Sequence, residues 1–276
     1  MSLDLAISQD VQRALAEDVG SGDVTAQLVE NTLIKAQVIS RQFAVICGQQ
    51  WFDSVFSHLS EQVEIRWLIA DGESCVANQV LCELTGPTRA LLTGERAALN
   101  FLQTLSGTAT RTHRYVQAVQ STNARILDTR KTIPGLRLAQ KYAVTCGGGT
   151  NHRLGLYDAI LIKENHIEAA GSIANAVANA RKQFPTLSIE VEVENLDEYT
   201  QAIAAEVDRV LLDNFSTALL REAVNMPHGE VELEASGGVT LDNILGIAET
   251  AVDFISIGTL TKDLESVDLS MRLLKN

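Results

Sequence analysis

The 276-residue sequence contains no apolar run long enough to span a membrane. Its opening stretch, MSLDLAISQDVQRALAEDVG, carries acids where a secretory leader would run from basic to apolar. Both absences point to the cytoplasm. Positive charge is also scarce: 22 Lys and Arg stand against 35 Asp and Glu, a formal net charge of -13. Nucleic-acid phosphates require a cationic face, so a nucleic-acid partner is not expected. The four cysteines, Cys47, Cys75, Cys82 and Cys146, form no C-x-x-C pair. Buried reduced thiols are the preferred reading and zinc the lesser alternative. Low-complexity segments and repeats are absent. Gly147-Gly148-Gly149 belongs to neither a G-x-G-x-x-G nor a P-loop pattern, so it gives no cofactor signature.

What is present divides near the middle of the chain. Residues before about 107 read as a small α+β unit. SQDVQRALAED is helical by spacing, with Ser8 a plausible N-cap. Strand-like runs follow in TLIKAQVIS, AVICG, VEIRWLIA and VLCELTG, with DGE at 71–73 a turn. TRALLTGERAALNFLQTLSG reads as a helix ending near Gly107, and TATRTHRYVQAVQST as a second helix.

From about residue 124 short apolar runs alternate with helical patterns. The runs are RILD, AILIK, SIEVEVE, VLLDN, ELEAS and FISIG; helix candidates lie at 134–144, 172–183, 196–206, 216–226 and 240–250. That alternation predicts a parallel sheet, either a βα barrel of six or seven strands or a doubly wound open sheet. In both, ligands sit beyond the C-terminal strand ends. Those ends carry Asp128 with Arg130 and Lys131, then Lys163, Glu192 and Glu194, Asp213, Ser236 with Gly237 and Gly238, and Gly258. One rim of the sheet is chemically equipped.

Each group has a functional and a bland reading. Arg130, Lys131, Arg153 and Lys163, with His152 beside them, form a cation cluster that an anion would neutralise. Any one of them alone reads better as a surface cation; four at successive strand ends do not. Arg137 and Lys141 either are solvated or add to the same field. The glycine run reads as a turn presenting His152 and Arg153. Strand alternation puts Glu190, Glu192 and Glu194 on one face. Glu192 with Asp213 suits either Mg²⁺ held with substrate phosphates or ribose hydroxyls, while Glu194 is as well read as a solvated loop acid. Ser236, Gly237, Gly238 and Gly258 suit a phosphate at the last two loops, the alternative being tight turns that need glycine.

The segments ALAEDVGSGDVTAQL, GERAALNFLQTLSGTATRT, LDTRKTIPGLRLAQKYAV, GGGTNHRLGLYDAILIKENHI, EVEVEN, LLDNF and EASGGV resemble the quinolinate phosphoribosyltransferase family along nearly the whole chain. Thr108 departs from the family pattern, where an apolar residue is expected. The resemblance implies phosphoribosyl transfer to quinolinate with decarboxylation, giving nicotinate mononucleotide, carbon dioxide and pyrophosphate. It implies dependence on Mg²⁺, an N-terminal α/β sandwich (1–107, joined by about 264–276) and a seven-stranded α/β barrel (108–263). It further implies a homodimer in which Arg96 crosses into the partner's site. Arg130, His152 and Arg153 would bind quinolinate carboxylates. Lys131 and Lys163 would contact carboxylate or pyrophosphate, with catalytic roles shared by Lys131, Lys163, Glu192 and Asp213. Glu192 and Asp213 would hold ribose hydroxyls and the metal-bound diphosphate, directly or through water. Ser236, Gly237, Gly238 and Gly258 would form the 5′-phosphate loops.

Overall fold

The computed structural model describes residues 2–274. The chain forms two compact units. The first comprises residues up to His113, Thr132–Gly148 and the stretch from Leu260 onward; the second comprises Arg114–Lys131 and Gly149–Thr259. Residues 275 and 276, the last two of the expected C-terminal segment, lie outside the described residues.

The first unit opens with α1 (Leu3–Val19), capped by Ser2, whose hydroxyl accepts from Leu5 N. The expected cap Ser8 is instead inside the helix, where it accepts from Gln12 Nε2 at 3.5 Å. The helix begins upstream of Ser8 because the Ser2 hydroxyl satisfies one of the free N–H groups of its first turn. Strands β1 (Leu33–Ser40) and β2 (Ala44–Val45), α2 (Gln49–Leu59), then β3 (Glu64–Trp67), β4 (Ser74–Cys75) and β5 (Val80–Pro87) follow. α3 (Thr88–Ala118) is a single helix of 31 residues, where the sequence reads as two. Gly107 is a packing glycine rather than a stop: a Cβ there would lie 2.2 Å from the Glu265 carbonyl oxygen.

Strands of this unit form a four-stranded antiparallel sheet in the order β12-β1-β5-β3, with β12 (Leu269–Leu273) running from Ser40↔Leu269 to Ala36↔Leu273. Apolar side chains of α1, α2 and α3 cover it, with Val11, Trp51, Phe52, Val55, Phe56, Leu91 and Leu102 fully buried. α4 (Arg137–Cys146) belongs here too. Of its cations, Lys141 is buried rather than solvated, and half-buried Arg137 donates to Thr132 Oγ1 at 3.2 Å. Thr108 is also buried, with a hydroxyl that has no hydrogen-bond partner among the described residues. An apolar residue fits that place better. Thr108→Val is expected to stabilise the chain by about 1 kcal/mol, raising Tm by roughly 2–4 °C in thermal unfolding.

The second unit has the alternating pattern: β6 (Arg125–Leu127), β7 (Ile160–Ile162), α5 (Glu164–Ala170), α6 (Ile173–Gln183), β8 (Ile189–Val193), α7 (Leu196–Ala204), β9 (Arg209–Asp213), α8 (Thr217–Asn225), β10 (Glu232–Ser236), α9 (Ile244–Ala248), β11 (Phe254–Ser256) and α10 (Thr259–Lys262), whose first residue ends the unit. All six apolar runs are strands, and all six are parallel, in the order β6-β11-β10-β9-β8-β7. The doubly wound order is therefore excluded. The seventh strand position is reduced to one parallel bridge, Leu127↔Thr150. Among the described residues no ladder joins Thr150 to β7, so backbone hydrogen bonds do not close the barrel. The reason is local: the glycine run precedes Thr150, and the Asp128 carboxylate takes the His152 N–H at 2.9 Å, ending the extended stretch after one pair.

Candidate active site

The C-terminal ends of these strands surround a cavity of about 410 Å³ lined by Thr129, Arg130, Lys131, His152, Arg153, Leu161, Lys163, Glu192, Leu211, Asp213, Glu234, Ser236 and Ser256. Eight of the residues expected from sequence converge there. Arg130 and Lys131 leave β6 on a turn in which Thr129 Oγ1 accepts from Lys131 N at 3.1 Å. Arg153 is held from two sides. Its N–H donates to His152 Nδ1 at 2.7 Å, and its guanidinium reaches the Ala159 carbonyl at 3.4 Å. The loop closes on Asp158, which accepts from Leu154 N and Gly155 N at 2.7 and 2.9 Å. Burial, and then the neighbouring Arg130, hold the Arg153 guanidinium below its ordinary value. A cation penalised in this way gains most when an anion arrives.

Lys163 ends β7 and begins α5, its N–H donating to His166 Nδ1 at 3.0 Å. Its ammonium makes an ion pair with Glu192 of β8. On the next strand Asp213 accepts from the Asn214 side chain at 2.8 Å. Cations and carboxylates thus meet at this pair. Glu194 is exposed, with its N–H on Glu198 at 2.8 Å, as the solvated reading has it.

The glycines make room around the cavity. A Cβ on Gly237, where φ is +94°, would fall 2.1 Å from Asn214 Oδ1; one on Gly258 would fall 2.9 Å from Lys131 Cδ. Gly238, also at positive φ, has open space around it and offers its carbonyl to Asn243 Nδ2 at 3.0 Å. Arg96 is exposed on α3 of the first unit.

At one wall of the cavity His152 joins a network of buried acids that the sequence reading did not assign. Glu190 and Glu234, 5% and 0% exposed, adjoin His152: a carboxylate oxygen of each and a ring nitrogen lie within 4.8 Å of one another. His152 Nε2 is 2.9 Å from Glu190 and 3.6 Å from Glu234. Arg209 supports them from β9, bonding Glu234 at 3.3 Å and Glu232 at 2.7 Å. The signal was available, since ELEAS alternates acids as EVEVE does. Three such residues resemble a metal site, but the hydrogen bonding of His152 opposes a metal on its ring. Arg153 N–H occupies Nδ1, so the ring proton sits on Nε2 and leaves no lone pair there for a metal. Both ring nitrogens of His152 thus have partners within the protein.

Burial pushes Glu190 up to about 7; for Glu234, burial and then the Glu190 charge push it up to about 8. One oxygen of each has no partner among the described residues. A retained proton relieves the like-charge contact. Below the unfolded value of 4.5 both states hold their protons and this stabilisation is complete; it is lost as pH rises through about 8. Glu234→Gln is expected to flatten the decline in Tm between those limits. An unchanged slope would remove Glu234 from the proton balance.

The quinolinate phosphoribosyl transferase N-terminal domain family matches residues 23–106, and the C-terminal domain family matches 108–272. The probable nicotinate-nucleotide pyrophosphorylase (carboxylating) of Synechocystis is 43% identical over 271 residues, covering 96% of this chain and 92% of its own. The enzyme of that name from Mycobacterium leprae is 39% identical, with 97% of each covered. The structure of nicotinate-nucleotide pyrophosphorylase from Francisella tularensis superposes with a TM-score of 0.97 at 48% identity, covering 99% of this chain and 98% of that one. With both domain families matched in order and relatives aligned end to end, the chain belongs to the quinolinate phosphoribosyl transferase family.

Proposed function

We propose that this chain transfers phosphoribosyl from phosphoribosyl pyrophosphate to quinolinate with decarboxylation, producing nicotinate mononucleotide for NAD synthesis. The observation that carries this reading is the convergence of Arg130, Lys131, Arg153 and Lys163 on a cavity that also holds Glu192 and Asp213. Two carboxylates and a diphosphate supply anions complementary to that cation cluster. Arg130 and Arg153 take the pyridine carboxylates through charge-assisted hydrogen bonds, and His152 fixes Arg153. For His152 to bind a carboxylate itself, a ring nitrogen must exchange its present partner. Lys131 and Lys163 face the leaving pyrophosphate and the adjacent carboxylate. Ser236, Gly237, Gly238 and Gly258 form the loops for the 5′-phosphate.

As pyrophosphate departs, positive charge grows on ribose C1. Glu192 and Asp213 lie where that charge is stabilised. The pyridine nitrogen attacks C1, and the resulting pyridinium accepts the electron pair left when the neighbouring carboxylate leaves as carbon dioxide. That ring carbon then takes a proton from water. Positioning and charge matching suffice, with no covalent enzyme intermediate.

The donor set fits Mg²⁺. Glu192 and Asp213 offer oxygens, yet Lys163 already neutralises one and Asn214 bonds the other. Two such carboxylates would hold the ion only in part, leaving room for water and substrate oxygens. When bound, Mg²⁺ would neutralise charge on the diphosphate. A homodimer in which exposed Arg96 enters the partner's cavity belongs to the same reading. So does a cytoplasmic location, supported by four free thiols and by the absence, among the described residues, of a helix long and apolar enough to cross a membrane.

Purified protein given quinolinate, phosphoribosyl pyrophosphate and Mg²⁺ is expected to release carbon dioxide and nicotinate mononucleotide in equal amounts. Turnover of a different acceptor with quinolinate inert would overturn the assignment.

A further inference from the structure

The first unit contains a second close group of reactive side chains. Cys47 Sγ, Cys146 Sγ and an Asp71 carboxylate oxygen all lie within 4.8 Å of one another. Two thiols and a carboxylate suggest zinc, but Asp71 is already committed. It accepts from Gly48 N at 3.1 Å, Gln49 N at 3.3 Å and Tyr142 Oη at 2.9 Å, capping α2. A metal would compete with that cap, and the thiols are left facing each other.

Their backbones are fixed. Cys47 N–H donates to Ser106 Oγ at 3.0 Å, and the same hydroxyl donates to the Cys47 carbonyl at 3.2 Å. Beside Cys146, a Cβ on Gly72 would sit 3.4 Å from its carbonyl oxygen, and one on Gly147 would sit 2.4 Å from the Ala109 carbonyl oxygen. Gly147 thus packs closely against α3, and side-chain rotation is the motion that brings the sulfurs together. The two differ in access: Cys47 is fully buried, while Cys146, the last residue of α4, is half-buried.

We propose that Cys146 and Cys47 form a dithiol centre that reacts with low-molecular-weight disulfides, Cys146 attacking and Cys47 resolving. The assignment does not depend on the reaction at the cavity. A hydrogen bond from Cys47 favours the thiolate of Cys146, whereas burial pushes the Cys47 thiol up. In the first step the Cys146 thiolate attacks one sulfur of the small disulfide. A mixed disulfide forms, and the expelled thiolate takes the proton that Cys146 has lost. In the second step Cys47 attacks Cys146 Sγ and the small thiol leaves with the Cys47 proton. Two protein thiols are oxidised to one disulfide, and the small disulfide is reduced to two thiols. Closure brings the sulfurs to about 2.05 Å.

The reduced full-length chain, folded and treated with excess oxidised glutathione, tests this by thiol count, intact mass and peptide mapping. The expected result is a fall from four free thiols to two, loss of the mass of two hydrogens, and a linked Cys47–Cys146 peptide. Cys47→Ser, with Cys47→Ala as the alternative if serine disturbs packing, should stop at glutathione on Cys146. Cys146→Ser should keep its remaining thiols. Four thiols retained in the native chain, a persistent glutathione adduct there, or closure of another cysteine pair would each overturn the proposal.

Discussion

Lys163→Ala is expected to lower kcat/KM by about 10²–10³-fold. Two losses combine. One is the donor that the proposed reaction sets against the leaving group, whose charge grows most in the transition state. The other is the partner of Glu192, whose side chain is 14% exposed and would stand in the cavity with an uncompensated charge. Because that charge also disfavours an incoming diphosphate, KM for phosphoribosyl pyrophosphate should rise as kcat falls. Lys163→Arg keeps the charge but replaces a point donor with a planar fork, and should recover only part of the loss. Steady-state kinetics with each substrate varied in turn measures both effects. Wild-type kinetics in Lys163→Ala would detach the ammonium from the reaction.

The second large effect concerns the assembly. Arg96→Ala and Lys163→Ala are each expected to be nearly inactive alone. If Arg96 serves the partner's cavity, a mixed dimer places both defects in one site and leaves the other intact. Random exchange at equal concentrations makes about half the dimers mixed, with one working site each, so activity should return to roughly a quarter of wild type. The measurement is activity against time after mixing, with exchange followed by mass or fluorescence. Demonstrated exchange without recovery would confine Arg96 to its own subunit.

Much of the site was legible because a parallel βα unit concentrates its chemistry at strand ends. The six short apolar runs are the six parallel strands, and Arg130, Lys131, Lys163, Glu192 and Asp213 at their ends line one cavity. Three features were not legible, each for a physical reason. The seventh strand position has no apolar run to announce it, because Thr150 pairs through a single bridge. Gly107 looked like punctuation, yet its requirement comes from the Glu265 carbonyl, a contact 158 residues away in sequence (265 minus 107). The Glu190, Glu234 and Arg209 network violates the expectation that acids seek water. Only the strand register, which sets Glu190 and Glu232 opposite Arg209, shows how these charges are held inside. Gly258 is a mixed case. The sequence marks it as a loop residue near phosphate, and the structure adds that it leaves space for the Lys131 stem.

The most direct test of paired recognition of a diacid is calorimetric titration with quinolinate and with its monoacid nicotinate. Quinolinate should bind roughly 10–150-fold more tightly, the equivalent of one further charge-assisted contact of about 1.5–3 kcal/mol, and Arg130→Ala should remove most of that difference. Equal affinity for the two acids, or a preference that survives Arg130→Ala unchanged, would contradict the reading of the cation cluster as a dicarboxylate site.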